Sequence, residues 1–221
     1  MKLAEFINSN TQKEGGGAFQ LENSKLLEVK VDGSVWAKAG AMVAYAGSLK
    51  FAQKHGGVGK WLKKSFTGEG ALTMEVTGSG VLYLADQGKQ VHVLELEASD
   101  AISVNGNDVL AFQSSVTWDI KMMRRAAGMA AGGLFNMQLQ GPGMVAFTTH
   151  GKPLVLGTPI VTDPQATVAW STKVQPGFRT DISIGTFLGR SSGETFQLEF
   201  TQPGGFVVVQ PYEEGGAAPA S

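Results

Sequence analysis

The side chains that could carry acid–base chemistry or bind zinc in this 221-residue chain include three histidines, His55, His92 and His150. No two of them are three or four residues apart, and no HExxH or HxH motif occurs. A zinc site built from neighbouring ligands needs such spacing. The chain has no Cys, which removes thiolate nucleophiles, disulfides and Cys-ligated metal. No glycine-rich segment reads GxxxxGK[ST], the pattern of a phosphate-binding loop. We therefore predict no catalytic residue, no metal and no cofactor, and structural or surface roles for the histidines.

Cations without neighbouring acids form the one asymmetric electrostatic feature of the chain. Residues 47–68 contain five lysines and no acid, and residues 120–162 contain two lysines, two arginines and no acid. Short segments that mix apolar anchors with cations are typical of membrane-surface or anionic-partner sites. The alternative left open is that these cations are a solvated rim and that the one Trp among them is buried. The candidate partner-binding residues are Lys60, Trp61, Lys63, Lys64, Arg124 and Arg125.

Whole-chain composition limits the classes of partner. A net charge of −1 and a pI near 6.3 argue against a surface devoted to nucleic acid. The first residues contain no apolar signal core, and no run approaches the roughly 18 apolar residues of a membrane span. We therefore expect a soluble, cytoplasmic protein whose contact with a membrane, if it makes one, is peripheral.

Three stretches of alternating apolar and polar residues must position these side chains. They align position for position: LTMEVTGSGVLYLA at 72–85, FNMQLQGPGMVAFT at 135–148 and FQLEFTQPGGFVVV at 196–209. A period of two is the spacing of a strand with one buried face. A glycine-bearing turn and a second apolar run follow in each stretch. The pattern predicts a β-hairpin used three times, with a further turn at Asp32-Gly33.

A second feature recurs at matched distances before these stretches. In each copy an Ala precedes an aromatic residue, in the pairs Ala44-Tyr45, Ala111-Phe112 and Ala169-Trp170. Two ordered features that recur together indicate internal multiplication, although accidental alternation in a β-rich chain is the alternative. The predicted fold is all-β, with repeated β-hairpins forming a β-sandwich or a double-stranded β-helix-like body.

Variable inserts separate the two recurring features, and they hold the candidate cations. Residues 119–131 form the best helix candidate, with Asp119 as its cap and two glycines at its end. One or two short helices are therefore predicted in the inserts. We predict a single compact body over 1–210 and a disordered tail over 211–221. The predicted repeats span roughly 26–97, 98–157 and 158–210.

Strand edges give a separate reason to expect assembly. Proteins cover or charge the unpaired backbone groups of an edge strand. Val207, Val208 and Val209 carry no charge that could protect an edge. We predict that this segment is paired internally or across a subunit interface.

Several segments together resemble the altered-inheritance-of-mitochondria family, which is related to yeast mitochondrial biogenesis factors. The resemblance runs from residue 19 to about residue 210, and Gly40-Ala41-Met42-Val43 and Gly141-Pro142-Gly143 carry most of it. It implies a β-rich fold like that of the tryptophan RNA-binding attenuator protein, with internal duplication and homo-oligomers. Mitochondrial members are implicated in inner-membrane organisation. The family offers no catalytic residue to carry over to this chain.

Three functional hypotheses follow. The first is a non-enzymatic binding or scaffold protein, homo-oligomeric, which contacts an anionic protein or a membrane surface through the basic inserts. The second is binding of RNA or single-stranded nucleic acid, by analogy with the attenuator-protein fold. It needs aromatic residues interleaved with cations along a groove, and only Trp61 and Phe66 fit that pattern. The third is an enzyme of unrecognised type.

Overall fold

The structure is a computed structural model that describes residues 1–52, 73–122, 135–180 and 196–212. Apart from one short helix near the start, the regular elements of these residues are strands, so the prediction of an all-β fold is confirmed. The elements are α1 Leu3–Ser9, β1 Phe19–Asn23, β2 Leu26–Lys38, β3 Met42–Ala52, β4 Thr73–Leu84, β5 Gln90–Leu96, β6 Ala101–Asn105, β7 Val109–Gln113, β8 Thr117–Met122, β9 Phe135–Gln140, β10 Gly143–Thr149, β11 Leu154–Gly157, β12 Ile160–Thr162, β13 Thr167–Ser171, β14 Gly177–Thr180, β15 Phe196–Phe200 and β16 Phe206–Val209.

The strands form three units with the same pairing scheme. Each unit has three successive strand lines, and the third line lies between the first and the second. In unit one each line is a single long strand, namely β2, β3 and β4. In unit two each line is broken into two strands, β5–β6, β7–β8 and β9–β10. Unit three repeats this with β11–β12, β13–β14 and β15–β16.

Two details show how closely the units correspond. Just before the second line, a carbonyl accepts a hydrogen bond from an amide at the end of the third line or directly after it. The three bonds join Ala85 N to Ala41 O at 2.9 Å, Thr148 N to Asp108 O at 2.8 Å and Gln210 N to Ala166 O at 2.9 Å. A one-residue register shift also occurs directly before each repeated alanine, at Val43, Leu110 and Val168. The three Ala–aromatic pairs of the sequence therefore occupy equivalent positions.

Neighbouring units are joined edge to edge. The second half of β2 pairs with β7, which merges unit one with half of unit two in a seven-stranded sheet of order β3-β4-β2-β7-β10-β5, with β1 on β2. In the same way β6 pairs with β13 in a six-stranded sheet of order β11-β16-β13-β6-β9-β8. The remaining strands form a three-stranded sheet of order β12-β15-β14.

The predicted hairpins are wrong, although the predicted strands are present. Residues 73–84 form one continuous strand, and Gly78 and Gly80 lie within it. β9 and β10 do not pair with each other but lie in different sheets, and the same is true of β15 and β16. Asp32-Gly33 likewise lies inside β2 and is not a turn. Glycine and alternation are compatible with a kinked strand as well as with a reversal, so they report a strand without specifying its partner.

The helix predicted at 119–131 is contradicted where the structure describes it. Residues 119–122 belong to β8, and Asp119 faces Gln138 of β9 instead of capping a helix. Residues 117–122 pair along the whole length of β9, and this pairing outweighs any helical preference of residues 119–122. The remainder of that prediction, 123–131, falls outside the described residues.

Strand pairing also defines units that differ from the predicted repeats. β5 pairs with β10 and β11 pairs with β16, so the second and third units begin with these strands, at 90 and 154. At the other end, Pro211 and Tyr212 belong to the described residues, and the Tyr212 ring lies 4.1 Å from that of His150. The rest of the predicted tail, 213–221, lies outside them. Val207–Val209 are paired internally on both sides, with β11 and β13.

Buried apolar side chains form three clusters, which follow the order of the units. The clusters are represented by Leu82, by Phe112 with Met137, and by Trp170 with Phe200. An aromatic contact joins units one and two, because Trp36 of β2 stacks on Phe112 at 6.1 Å and meets Trp118 edge-on at 5.1 Å. Aromatic pairs of this geometry stabilise beyond their buried area.

Candidate interaction surface

Each insert connects the second strand line of a unit to the third. The strands that flank it pair up to the insert, through Ala52 opposite Glu75 in unit one. Met122 faces Phe135 in unit two, and Thr180 faces Phe196 in unit three. The inserts therefore leave the sheets at equivalent places in the three units.

The six predicted partner-binding residues, Lys60, Trp61, Lys63, Lys64, Arg124 and Arg125, all lie outside the described residues. The strands that flank them belong to the described residues. On these strands Lys50 is exposed. Lys121 lies 2.6 Å from Asp119, and both side chains are exposed, so a carboxylate already neutralises that cation.

The second strand of unit one is exposed along nearly its full length. Val43 is 59% exposed and Tyr45 is 50% exposed, and the Tyr45 ring meets Phe51 edge-on at 5.2 Å. The equivalent aromatic residues of units two and three, Phe112 and Trp170, are buried. β3 ends the seven-stranded sheet, and within the described residues it pairs only with β4. The exposure of β3 thus sets unit one apart from the other two units.

A buried polar network fixes the junction of units one and two. The Lys89 ammonium lies 2.8 Å from an Asp108 carboxylate oxygen, and both side chains are buried. Beside them, Lys38 lies 2.7 Å from Asp86, whose carboxylate also accepts a hydrogen bond from the Thr148 hydroxyl at 3.0 Å. Buried charges are tolerated when they are paired and hydrogen-bonded. We interpret this network as structural.

A second polar cluster holds the segment before β1 against the sheet. The buried Glu28 carboxylate accepts a hydrogen bond from Gln12 Nε2 at 2.7 Å. Burial, followed by the nearby charge of Glu28, raises the pKa of Tyr83. The backbone amide of Lys13 donates to Glu22 at 2.8 Å, and this bond, with a second from Gln20, lowers the pKa of the Glu22 carboxyl. These bonds explain how residues 12 and 13 are held on the strands below.

His92 is half-buried and has a structural environment. Its Nε2 lies 2.8 Å from the Thr149 hydroxyl oxygen, and its ring stacks on Phe147 with centroids 5.2 Å apart. The Thr149 hydroxyl donates to Gly151 O at 2.7 Å, so its oxygen accepts from a protonated Nε2. Burial lowers the pKa of His92 below its usual value.

The free energy of unfolding should therefore fall as the pH decreases below the unfolded-state pKa of about 6.5, because the unfolded chain binds the His92 proton more tightly than the native state does. This contribution is fully present above that pH and is lost as the pH falls toward the lower native pKa. The His92→Gln variant keeps a donor for Thr149 but has no imidazole to protonate. Between about pH 8 and pH 5 its free energy of unfolding should therefore fall by less than that of the wild type. Urea unfolding of both proteins measures the difference, and equal losses would contradict the prediction.

The described residues contain no group of three or more His, Asp or Glu side chains that could hold a metal ion. The string Gly-Arg-Ser-Ser-Gly at 189–193 has the spacing of a nucleophile elbow, which needs a strand–turn–helix context, but it lies outside these residues. No helix in the described part of the chain is long and apolar enough to cross a membrane.

The fold and its surface define an all-β protein assembled from three corresponding units of antiparallel strands. Residues 19–212 match the family described as mitochondrial biogenesis AIM24, and the chain belongs to that family, as the resemblance predicted. A crystal structure of a Streptococcus pyogenes protein is similar, with a TM-score of 0.66 and 22% sequence identity over 88% of this chain and 92% of that chain. At this identity the similarity shows the fold alone. Comparison with curated proteins gives no significant match.

Proposed function

We propose that this AIM24-family protein is a non-enzymatic binding or scaffold module that assembles with copies of itself and contacts an anionic partner through its basic inserts. The observation that carries the proposal is the equivalent attachment of the inserts, each joining the second and third strand lines of its unit. A rigid sheet framework with variable inserts at repeated places is a common way to present binding residues.

The charges of the inserts favour an anionic surface as partner. Residues 53–72 contain four lysines and one glutamate, and residues 123–134 contain two arginines and no acid. Trp61 lies between Lys60 and Lys63-Lys64, and a Trp among cations suits the interface between lipid headgroups and acyl chains. Anionic lipid is therefore the partner that we favour.

Nucleic acid is the second candidate, and the analogy with the attenuator-protein fold is its only support. The third insert, 181–195, holds two acids and one arginine, so the cations are not repeated in every unit. A groove for single strands also needs several stacking aromatics beside its cations. Trp61 and Phe66 alone supply them in the first insert.

Vesicle co-sedimentation tests the proposal. We expect the protein to sediment with vesicles that contain anionic lipid and not with neutral ones, and to be released by salt. Each lysine near such a surface contributes about 1 kcal/mol, so combined alanine substitution of Lys60, Lys63 and Lys64 should weaken binding roughly a hundredfold.

The matched control removes the same charge elsewhere, from the exposed Lys25, Lys152 and Lys173. It should leave binding nearly unchanged. Equal weakening in the two triple variants would show that only net charge matters, and salt-resistant binding would contradict an electrostatic contact. Binding of single-stranded RNA in place of vesicles would favour the second candidate.

A further inference from the structure

Two strands at opposite ends of the series of units lack a neighbour on one side among the described residues. β3, the second line of unit one, ends the seven-stranded sheet. β12, in the first line of unit three, ends the three-stranded sheet. In the other units, β7 and β13 occupy the position of β3, and β2 and β6 occupy the position of β12. The pairs β2–β7 and β6–β13 join consecutive units to each other.

The two joints inside the chain share one register. At the first joint, antiparallel partners are Ala37 with Ala111, Trp36 with Phe112 and Val35 with Gln113. At the second joint they are Val104 with Ala169, Ser103 with Trp170 and Ile102 with Ser171. In both, the repeated Ala–aromatic pair of one unit faces the first strand line of the preceding unit.

The residue of β12 that corresponds to Ala37 and Val104 follows from the partners that these residues have on the third strand line. Ala37 faces Met74 and Val104 faces Met137, which occupy the same place in their units. In unit three that place is taken by Leu198, and it faces Thr162. A third joint of the same kind would therefore pair Thr162 with Ala44, Val161 with Tyr45 and Ile160 with Ala46.

We propose that β12 of one copy of this chain pairs with β3 of a second copy in this register. The proposal rests on the self-assembly part of the proposed function and specifies the surface that performs it. Because the two edges differ, the contact is head to tail and generates rings or filaments, not a symmetric pair.

The side chains at both edges suit such a contact. Val161 is 38% exposed and would lie opposite Tyr45, and aromatic residues pair favourably with β-branched ones across antiparallel strands. No charged residue or proline occurs between Lys38 and Lys50, so residues 44–46 of β3, which would form the joint, carry none of the charges that protect an edge strand. Thr162 is already buried, as are Ala37 and Val104 at the corresponding positions.

A second copy is the occupant that the joints favour. Each internal joint pairs the first line of one unit with the second line of the next. Three units in one chain therefore form two joints, and the second line of unit one and the first line of unit three remain without a partner of this kind. Within the described residues β3 and β12 are not paired with each other, and no described strand other than β4 pairs with β3. Val43 and Tyr45 of β3 are also exposed.

Disulfide trapping tests the register, because the chain contains no Cys of its own. Tyr45→Cys and Val161→Cys are prepared as separate variants, mixed and oxidised. Directly opposed residues have Cβ atoms about 4.5–5.5 Å apart, so we expect a disulfide-linked heterodimer of the two variants. Lys50→Cys serves as the matched control, since it lies five residues along β3, roughly 17 Å away, and should not cross-link with Val161→Cys.

Other outcomes of trapping would overturn the proposal. A homodimer of Tyr45→Cys alone would mean that β3 pairs with β3. A chain carrying both cysteines that cross-links only within itself would mean that the third joint closes inside one copy. The absence of any cross-link, with light scattering giving the 23.2 kDa monomer at high concentration, would also contradict it.

Light scattering of lysine variants provides a second readout. Val161→Lys should convert the assembly to monomers, whereas Val155→Lys, a 62% exposed valine on the neighbouring β11, should leave it intact. Circular dichroism of both variants confirms that they are folded. Loss of assembly in both variants, or in neither, would contradict the assignment of this edge. Vesicle binding is scored separately, so failure of the lipid contact leaves this test unaffected.

Discussion

Replacing Asp108 with alanine should lower the free energy of unfolding by about 3–5 kcal/mol. The reason is the Lys89 ammonium, which lies 2.8 Å from the Asp108 carboxylate and is equally buried. Removing Asp108 takes a carboxylate away from the buried Lys89 charge, in a medium of low dielectric where such attraction is strong. The effect should spread to both units, because Lys89 precedes the first strand of unit two and the neighbouring Lys38–Asp86 pair belongs to unit one.

The matched control is Asp119→Ala. Asp119 forms an ion pair of similar length with Lys121, at 2.6 Å, but both side chains are exposed. Exposed pairs of this kind contribute about 0–1 kcal/mol. Urea unfolding of the two variants should therefore differ by several-fold in the loss of stability, and equally small losses in both variants would contradict the prediction.

Substituting Gly78 by alanine should destabilise the protein by about 3 kcal/mol or more, or prevent folding. Gly78 has φ +126°, and a Cβ atom there would lie 2.0 Å from the backbone oxygen of Ser48 on β3. The contact is with backbone, so no side chain can move aside. β3 and β4 pair through this point, and separating them would break the long ladder of unit one.

Gly33→Ala is the control for that substitution. Gly33 faces Gly78 in the register of β2 with β4 and has φ +97°, but a Cβ atom there would meet nothing within 4 Å. It should show only the strain of a positive φ, about 1–2 kcal/mol. Thermal unfolding of the two variants distinguishes the cost of a positive φ from the cost of the contact between the added Cβ and β3. Equal losses of stability would mean that the contact with β3 adds no cost.

Local patterns predicted strands well because a strand with one buried face alternates with a period of two. The stretches 135–140 and 196–200 are strands, as their alternation predicted. The same patterns did not reveal which strands pair. β9 pairs with β6 and β8 instead of with β10, which follows it in the sequence, and no local signal encodes such long-range choices.

The sequence also did not reveal which strand edge is free and which is covered. Val207–Val209 and Met42–Ala46 are both uncharged apolar runs, so composition could not separate them. In the structure the first run is paired on both sides and the second is exposed. The cations of the inserts were recognisable from the sequence, whereas the β3 edge was not.

The all-β class, the threefold repetition with its Ala–aromatic markers and the family to which the chain belongs were readable from the residues alone. The folded chain was needed to show that units one and two each pair through their first line with the following unit, that β8 is a strand and that β3 lies at an edge. The physical reason is that alternation, glycine placement and charge are properties of neighbouring residues. Hydrogen-bonded pairing and burial depend on residues far apart in the chain, whose free energies are gained together only when the sheets assemble.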